Sequence, residues 1–164
     1  MLVTLITDAS SCPDTLGAGY GYWCVSERGR EGSGGILKGD IKDSYEAELK
    51  GAINALIKCH KKGLIQDHDT VLIQLDNKGV VGLFNEDHIP RKDLVEAMEI
   101  FQAFIRKHSI KILSRHVKGH SKSSGNRYAA NRHCDERARE FMLQERKNRI
   151  PINADNQGLY HLLV

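Results

Sequence analysis

A single α/β domain, with a five-stranded mixed sheet flanked by helices, is predicted by three observations. The first 39 residues hold three short apolar stretches separated by Gly-containing turns. Two later segments repeat their apolar residues with helical period, and strand-like runs lie between and after them. The chain's 164 residues, 40% of them hydrophobic, suffice for one core.

Taken in order, "LVTLITDAS" reads as a strand that ends at Asp8. "GAGYGYWCVSERG" and "EGSGGILKGD" complete a meander joined by tight turns. In "DSYEAELKGAINALIKCHKKG", Leu49, Ala52, Ile53, Leu56 and Ile57 fall at helical spacing, and Gly63 marks the stop. "TVLIQL" is the fourth strand, with a turn at Asn77, Lys78 and Gly79 and a short helix after it. The segment "RKDLVEAMEIFQAFIRKH" follows Pro90 with Leu94, Val95, Met98, Phe101 and Ile105 along one face. "IKILSRHV" alternates as the fifth strand. A polar loop, "KGHSKSSGNRYAANRH", then leads to a helix that starts near Asp135, with Ala138, Phe141 and Met142 spaced for packing. Residues 1–149 form the expected domain, and 150–164 are a separable tail.

No stretch approaches the roughly 18 apolar residues of a membrane span, and "MLVTLITDAS" lacks the features of a signal peptide. A cytoplasmic monomer with no membrane partner is therefore expected. Cys12, Cys24, Cys59 and Cys134 are scattered and read as reduced thiols. The net charge of +3 is small, but Ile100 to Cys134 contains no Asp or Glu while Arg106, Lys107, Lys111, Arg115, Lys118, Lys122, Arg127 and Arg132 are basic. A one-sign stretch of this length points to a polyanionic partner such as a nucleic-acid backbone.

Four carboxylates recur near element ends: Asp8, Glu48, Asp76 and Asp135. Each alone is explained by capping or surface solvation. If the first and fourth strands are neighbours, however, Asp8 and Asp76 emerge side by side, and such crowding needs a hard cation. Oxygen-only donors on an open site suit Mg²⁺, with Mn²⁺ as a substitute. Two such ions roughly 3.5–4 Å apart support in-line phosphoryl displacement. Phosphodiester hydrolysis fits both the acids and the basic stretch. Glu46 competes with Glu48, because both lie on the rim of the helix's apolar face.

"TDAS", "YEAELKGAINAL", "LDNKG", "VKGHS" and "CDERARE", in that order over residues 1–145, resemble the type 1 ribonuclease H pattern. The resemblance implies a ribonuclease H-like fold and an endonuclease that hydrolyses the RNA strand of RNA–DNA hybrids with two Mg²⁺ ions, leaving 3′-hydroxyl and 5′-phosphate ends. It makes Asp8 a ligand shared by both metals, with Asp76 and Asp135 at one of them. It chooses Glu48 over Glu46 for the other metal and for the ribose 2′-hydroxyl. His120 matches the family's mobile-loop histidine, used in proton transfer or product release. Nucleic-acid contacts are expected from Ser10, Ser44, Tyr45 and Asn77 on one side and from Arg115, Lys118, Lys122 and Arg127 on the other.

The departures matter too. Ser44 and Tyr45 stand where well-known bacterial members carry adjacent asparagines, and the Trp-rich basic protrusion is replaced by the short "VVGLFNEDHIPRKD". The late loop is longer than in common members, and Trp23 is expected to pack in the meander. A zinc reading of His116, His120, His133 and Cys134 lacks a recognised spacing. The rival functions are a same-fold DNA nuclease of the resolvase or transposase type and a catalytically dead hybrid-binding module. The tail's "LYHLLV" is a candidate motif for a protein partner.

Overall fold

The computed structural model describes residues 1–118 and 126–152, the side chains of 126–128 excepted. Strands β1 (Leu2–Ser11), β2 (Ala18–Ser26) and β3 (Gly29–Leu37) precede helix α1 (Ser44–Lys61) and strand β4 (Thr70–Leu75). Helices α2 (Lys78–Phe84) and α3 (Val95–Lys107), strand β5 (Lys111–His116) and helix α4 (Asn126–Lys147) follow. The sheet order is β3-β2-β1-β4-β5. The meander pairs antiparallel, whereas β4 joins β1 and β5 joins β4 in parallel, giving the expected mixed sheet.

The alternation of β1 divides its side chains between two layers. Val3 and Leu5 join the main core with Leu49, Ala52, Ile53 and Leu56 of α1 and Phe101 of α3. Ile6 points the other way and packs with Ala130 and Cys134 of α4, against which Trp23 is half-buried. Helix α1 starts cleanly because Asp43 caps it, accepting from the Glu46 N–H at 2.9 Å. Glu46 reaches back to accept from the Lys42 N–H at 2.8 Å, a reciprocal cap.

Helix α4 approaches the meander closely because β2 offers it glycine. A Cβ on Gly21 would lie 2.2 Å from the Cys134 carbonyl oxygen, and one on Gly19 2.4 Å from the Met142 amide. The helix backbone therefore rests on the strand backbone. Arg149 fastens the end of α4, donating to Gly39 O at 2.6 Å and to Asp40 at 2.7 Å. Beyond it, the Ile152 N–H donates to Asp14 O at 2.7 Å.

Three sequence expectations are corrected, and the cap of α2 is identified. β1 does not end at Asp8: its pairing with β2 continues to Ser11, while the parallel pairing with β4 is last seen at Ile6 and Gln74. The last helix begins nine residues before Asp135, because Ala130, Cys134 and Ala138 already repeat at helical spacing within the stretch read as loop. The segment after Pro90 opens with a 3-10 turn at Lys92–Leu94, which leaves Val95 exposed while Leu94, Met98 and Phe101 are buried. Asn77, rather than Asp76, caps α2, accepting from the Val80 N–H at 3.1 Å. Among the described residues no helix is long and apolar enough to cross a membrane.

Gly21→Ala tests the close approach of α4. Forcing a methyl against a helix backbone is expected to cost about 1–3 kcal/mol, read as a lower urea midpoint at unchanged m-value. An unchanged midpoint would mean that α4 can lift off the sheet freely.

Candidate active site

The parallel register carries Leu2 opposite Thr70 and Ile6 opposite Gln74. Continued by two residues, it sets Asp8 level with Asp76 at the edge where the β1–β4 ladder stops. On its other side Asp8 pairs with Gly21 of β2, the glycine on which the Cys134 carbonyl rests. Cys134 is buried, and its thiol lies 3.4 Å from Ile6 O, so the next residue of α4, Asp135, is delivered to the same corner. Glu48 comes from α1, where its Oε1 accepts from the Ala9 N–H at 3.3 Å. That same N–H also donates to Asp8 Oδ1 at 2.9 Å.

Two buried groups register how these charges crowd. The Glu48 carboxyl is pushed up to about 9, first by burial and then by the negative charge of Asp8, with Asp76 adding to it. The Cys134 thiol is pushed well up by burial and then by Asp8, Glu48 and Asp135. Asp8 and Asp76 thus both act on Glu48, while Asp135 is felt by Cys134, the residue before it, which Asp8 and Glu48 also reach.

Glu46 is excluded from that cluster by its other duties. Its carboxylate receives the Lys42 N–H and the Lys50 ammonium, the latter at 2.6 Å. Glu48 differs in that its Oε2 is buried and faces no hydrogen-bond donor among the described residues. The neighbouring Asp8 carboxylate is an acceptor, so only a proton or a cation relieves the pair. This all-oxygen donor set, with one carboxyl lacking a counter-charge, fits a hard divalent cation.

Sequence reasoning missed the hydrogen bond of His116 Nε2 to Asp76 Oδ1, at 3.0 Å. The signal was present in "IKILSRHV": parallel pairing of Leu75 with His116 brings the end of β5 beside the end of β4. Tyr45 is half-buried, with the Arg91 guanidinium 5.0 Å from its ring centroid and its edge against Gly79. Arg91 also donates to Asp43 at 2.7 Å, so the shortened segment after α2 is fastened to the start of α1. Ser44 is exposed at the first residue of α1. Ser10 is half-buried on β1, two residues beyond Asp8.

The basic stretch divides in two. Arg115 and Lys118 are exposed near the carboxylates, where the Val117 N–H donates to Leu75 O at 3.0 Å. Arg106, Lys107 and Lys111 lie at the opposite end of β5, about 20 Å away for a strand of this length. Arg132 is engaged by Glu136 at 3.0 Å. His120, Lys122 and the side chain of Arg127 lie outside the described residues. His133 stands edge-on to Trp23, which packs in the meander as expected, and Cys134 is turned into the α4–β1 contact.

A family model described as RNase H matches residues 2–142. No curated protein gives a significant match. Among solved structures, the chain is similar to the N-terminal RNase H domain of a Mycobacterium tuberculosis protein, solved as a fusion with maltose binding protein. That match has a TM-score of 0.68 and 20% identity over 90% of this chain and 97% of the other. LC11-RNase H1 in complex with an RNA/DNA hybrid gives 0.68 and 17% over 87% and 98%. RNase H1 from the halophilic archaeon Halobacterium salinarum gives 0.66 and 17% over 88% and 99%. At such identities the structures establish a shared fold.

The raised Glu48 pKa has a pH signature in the metal-free protein. The folded chain holds this proton more tightly than the unfolded chain, so its contribution is present below the ordinary value of 4.5 and is lost as pH rises through about 9. In chelator, Glu48→Gln is therefore expected to melt above wild type at pH 8–9 and to converge with it near pH 4. Parallel melting curves across that range would contradict the crowding.

Proposed function

Because the chain belongs to the RNase H family, and is a ribonuclease H, we propose that it is an endonuclease cutting the RNA strand of RNA–DNA hybrids with two divalent ions, leaving 3′-hydroxyl and 5′-phosphate ends. The observation that carries this reading is the buried Glu48 carboxyl, which shares the Ala9 N–H with Asp8 and whose Oε2 faces no hydrogen-bond donor among the described residues. A neighbour of the same fold was solved with an RNA/DNA hybrid, which supports the substrate.

Asp8, Asp76 and Asp135 would hold one ion, and Asp8 with Glu48 the other. Mg²⁺ bound there supplies an activated water and neutralises charge developing on the phosphate. The chain's own residues do the rest. His116, hydrogen-bonded to Asp76, fixes the direction of that carboxylate, as outer hydrogen-bond partners of metal ligands do. Glu48, at the border between the cluster and α1, is the acceptor for a ribose 2′-hydroxyl, the group that separates RNA from DNA. Arg115 and Lys118, exposed beside the cluster, hold backbone phosphates, and the Tyr45 edge lies next to the β4–α2 turn. His120 is assigned proton transfer or product release from its motif.

The direct test labels each strand of a hybrid, with duplex DNA and duplex RNA as controls, with and without Mg²⁺. Cleavage confined to the RNA strand and to Mg²⁺ or Mn²⁺ is expected; cleavage of the DNA controls would favour a same-fold DNA nuclease. Asp76→Asn and Glu48→Gln should abolish turnover with the fold intact, whereas Glu46→Gln should cut near the wild-type rate because an amide oxygen can keep the reciprocal cap.

A separate kinetic split tests the basic residues. Lys118→Ala should raise KM and lower the salt slope of binding by about one, with kcat nearly unchanged. Loss of kcat with binding intact would place Lys118 in the chemistry instead.

A further inference from the structure

At the end of the sheet opposite the carboxylates, two connections meet. The α1–β4 connection carries Asp67, the last turn of α1 carries His60, and His108 ends α3 just before β5. His60 Nε2 lies 2.8 Å and His108 Nδ1 2.9 Å from the same oxygen, Asp67 Oδ1. All three donor atoms fall within 4.8 Å of one another, the one such group of three among the described residues.

We propose that His60, Asp67 and His108 form a site for a borderline transition-metal dication of the Zn²⁺ class, separate from the carboxylate cluster. Two imidazoles and one carboxylate are the donors such ions prefer, whereas Mg²⁺ prefers the all-oxygen cluster. Zinc–nitrogen and zinc–oxygen distances of about 2.0–2.2 Å in tetrahedral array separate donors by roughly 3.3 Å. The present separations need to open by about half an ångström, which the exposed Asp67 side chain permits. Neutral imidazoles would bind by shifting their proton to the other ring nitrogen, Nδ1 of His60 and Nε2 of His108. A fourth position is left to water.

The site is built before any ion arrives. The imidazole centroids are 4.0 Å apart, and Phe104 stands edge-on to His60 at 5.3 Å and tilted against His108 at 4.7 Å. The His68 N–H donates to His108 O at 3.0 Å, tying one connection to the other. Asp69 fixes the loop from the far side, accepting from the Gln66 N–H at 2.8 Å and from Arg28 at 2.7 Å. Asp67 is held below the usual carboxylate range, first by its hydrogen bond to His60 and also by that to His108, so an anion is ready. The C-terminal ends of α1 and α3 add negative potential, which Lys61, Arg106 and Lys107 in the same turns offset. Coordination rather than the general field therefore sets the affinity.

The test titrates Zn²⁺ into the full chain under saturating Mg²⁺, which occupies the oxygen-rich cluster. Bound metal is measured by equilibrium dialysis and stability by melting. One equivalent of Zn²⁺ is expected, with Tm raised by roughly 5–10 °C at a hundredfold excess over Kd. Asp67→Asn and His108→Ala should both lose the ion and the Tm shift, and Asp76→Asn should keep them. Absence of binding, binding that survives either ligand change, or binding lost in Asp76→Asn would overturn the assignment. Because hybrid cleavage enters none of these readouts, failure here leaves the nuclease reading standing.

Discussion

The contact between α4 and the β1–β2 pair is the constraint on which the candidate site depends. Side chains normally keep a helix well clear of a sheet, and at that distance Asp135 would be isolated from Asp8. Gly19 and Gly21 remove the intervening Cβ atoms along one face of β2, so the α4 backbone comes to rest on the strand. Gly21 is also the cross-strand partner of Asp8. One glycine therefore sets both the height of the helix and the neighbour of the first carboxylate.

Register supplies the second half of the arrangement. Parallel pairing of β1 with β4 puts Asp8 level with Asp76, and the same pairing continued to β5 brings His116 to Asp76. Glu48 closes the group from the opposite layer. The scaffold holds together charges that repel, and it does so with groups that are themselves well satisfied: Asp43 and Glu46 cap α1, and Arg149 secures α4. The unfavourable energy is concentrated in the Glu48 carboxyl, whose burial beside Asp8 pushes its pKa up and so favours its neutral form.

Much of this was legible in the chain. Period-two and helical patterns placed the strands and the two long core-facing helices, and four of the five ordered motifs pointed to the four acids. Periodicity could not separate Glu46 from Glu48, since both flank the same helix face; the reciprocal cap, a matter of local geometry, separates them. The early start of α4 was hidden because Gly and Ser in "SKSSGN" masked the helical spacing of Ala130, Cys134 and Ala138. The basic stretch looked continuous along the chain but its described members occupy both ends of β5, and among them Arg115 and Lys118 lie near the acids. The convergence of His60, Asp67 and His108 leaves no local signature, because up to 48 residues separate its members and the fold alone unites them.

If burial beside Asp8 raises the Glu48 carboxyl as its surroundings dictate, a cation entering the pair must displace a proton. Calorimetric titration of Mg²⁺ at pH 8, in two buffers with different ionisation enthalpies, counts the protons released on binding. Close to one proton per chain is predicted for the wild type, and none for Glu48→Gln. Mg²⁺ binding to the wild type without proton release would contradict the account.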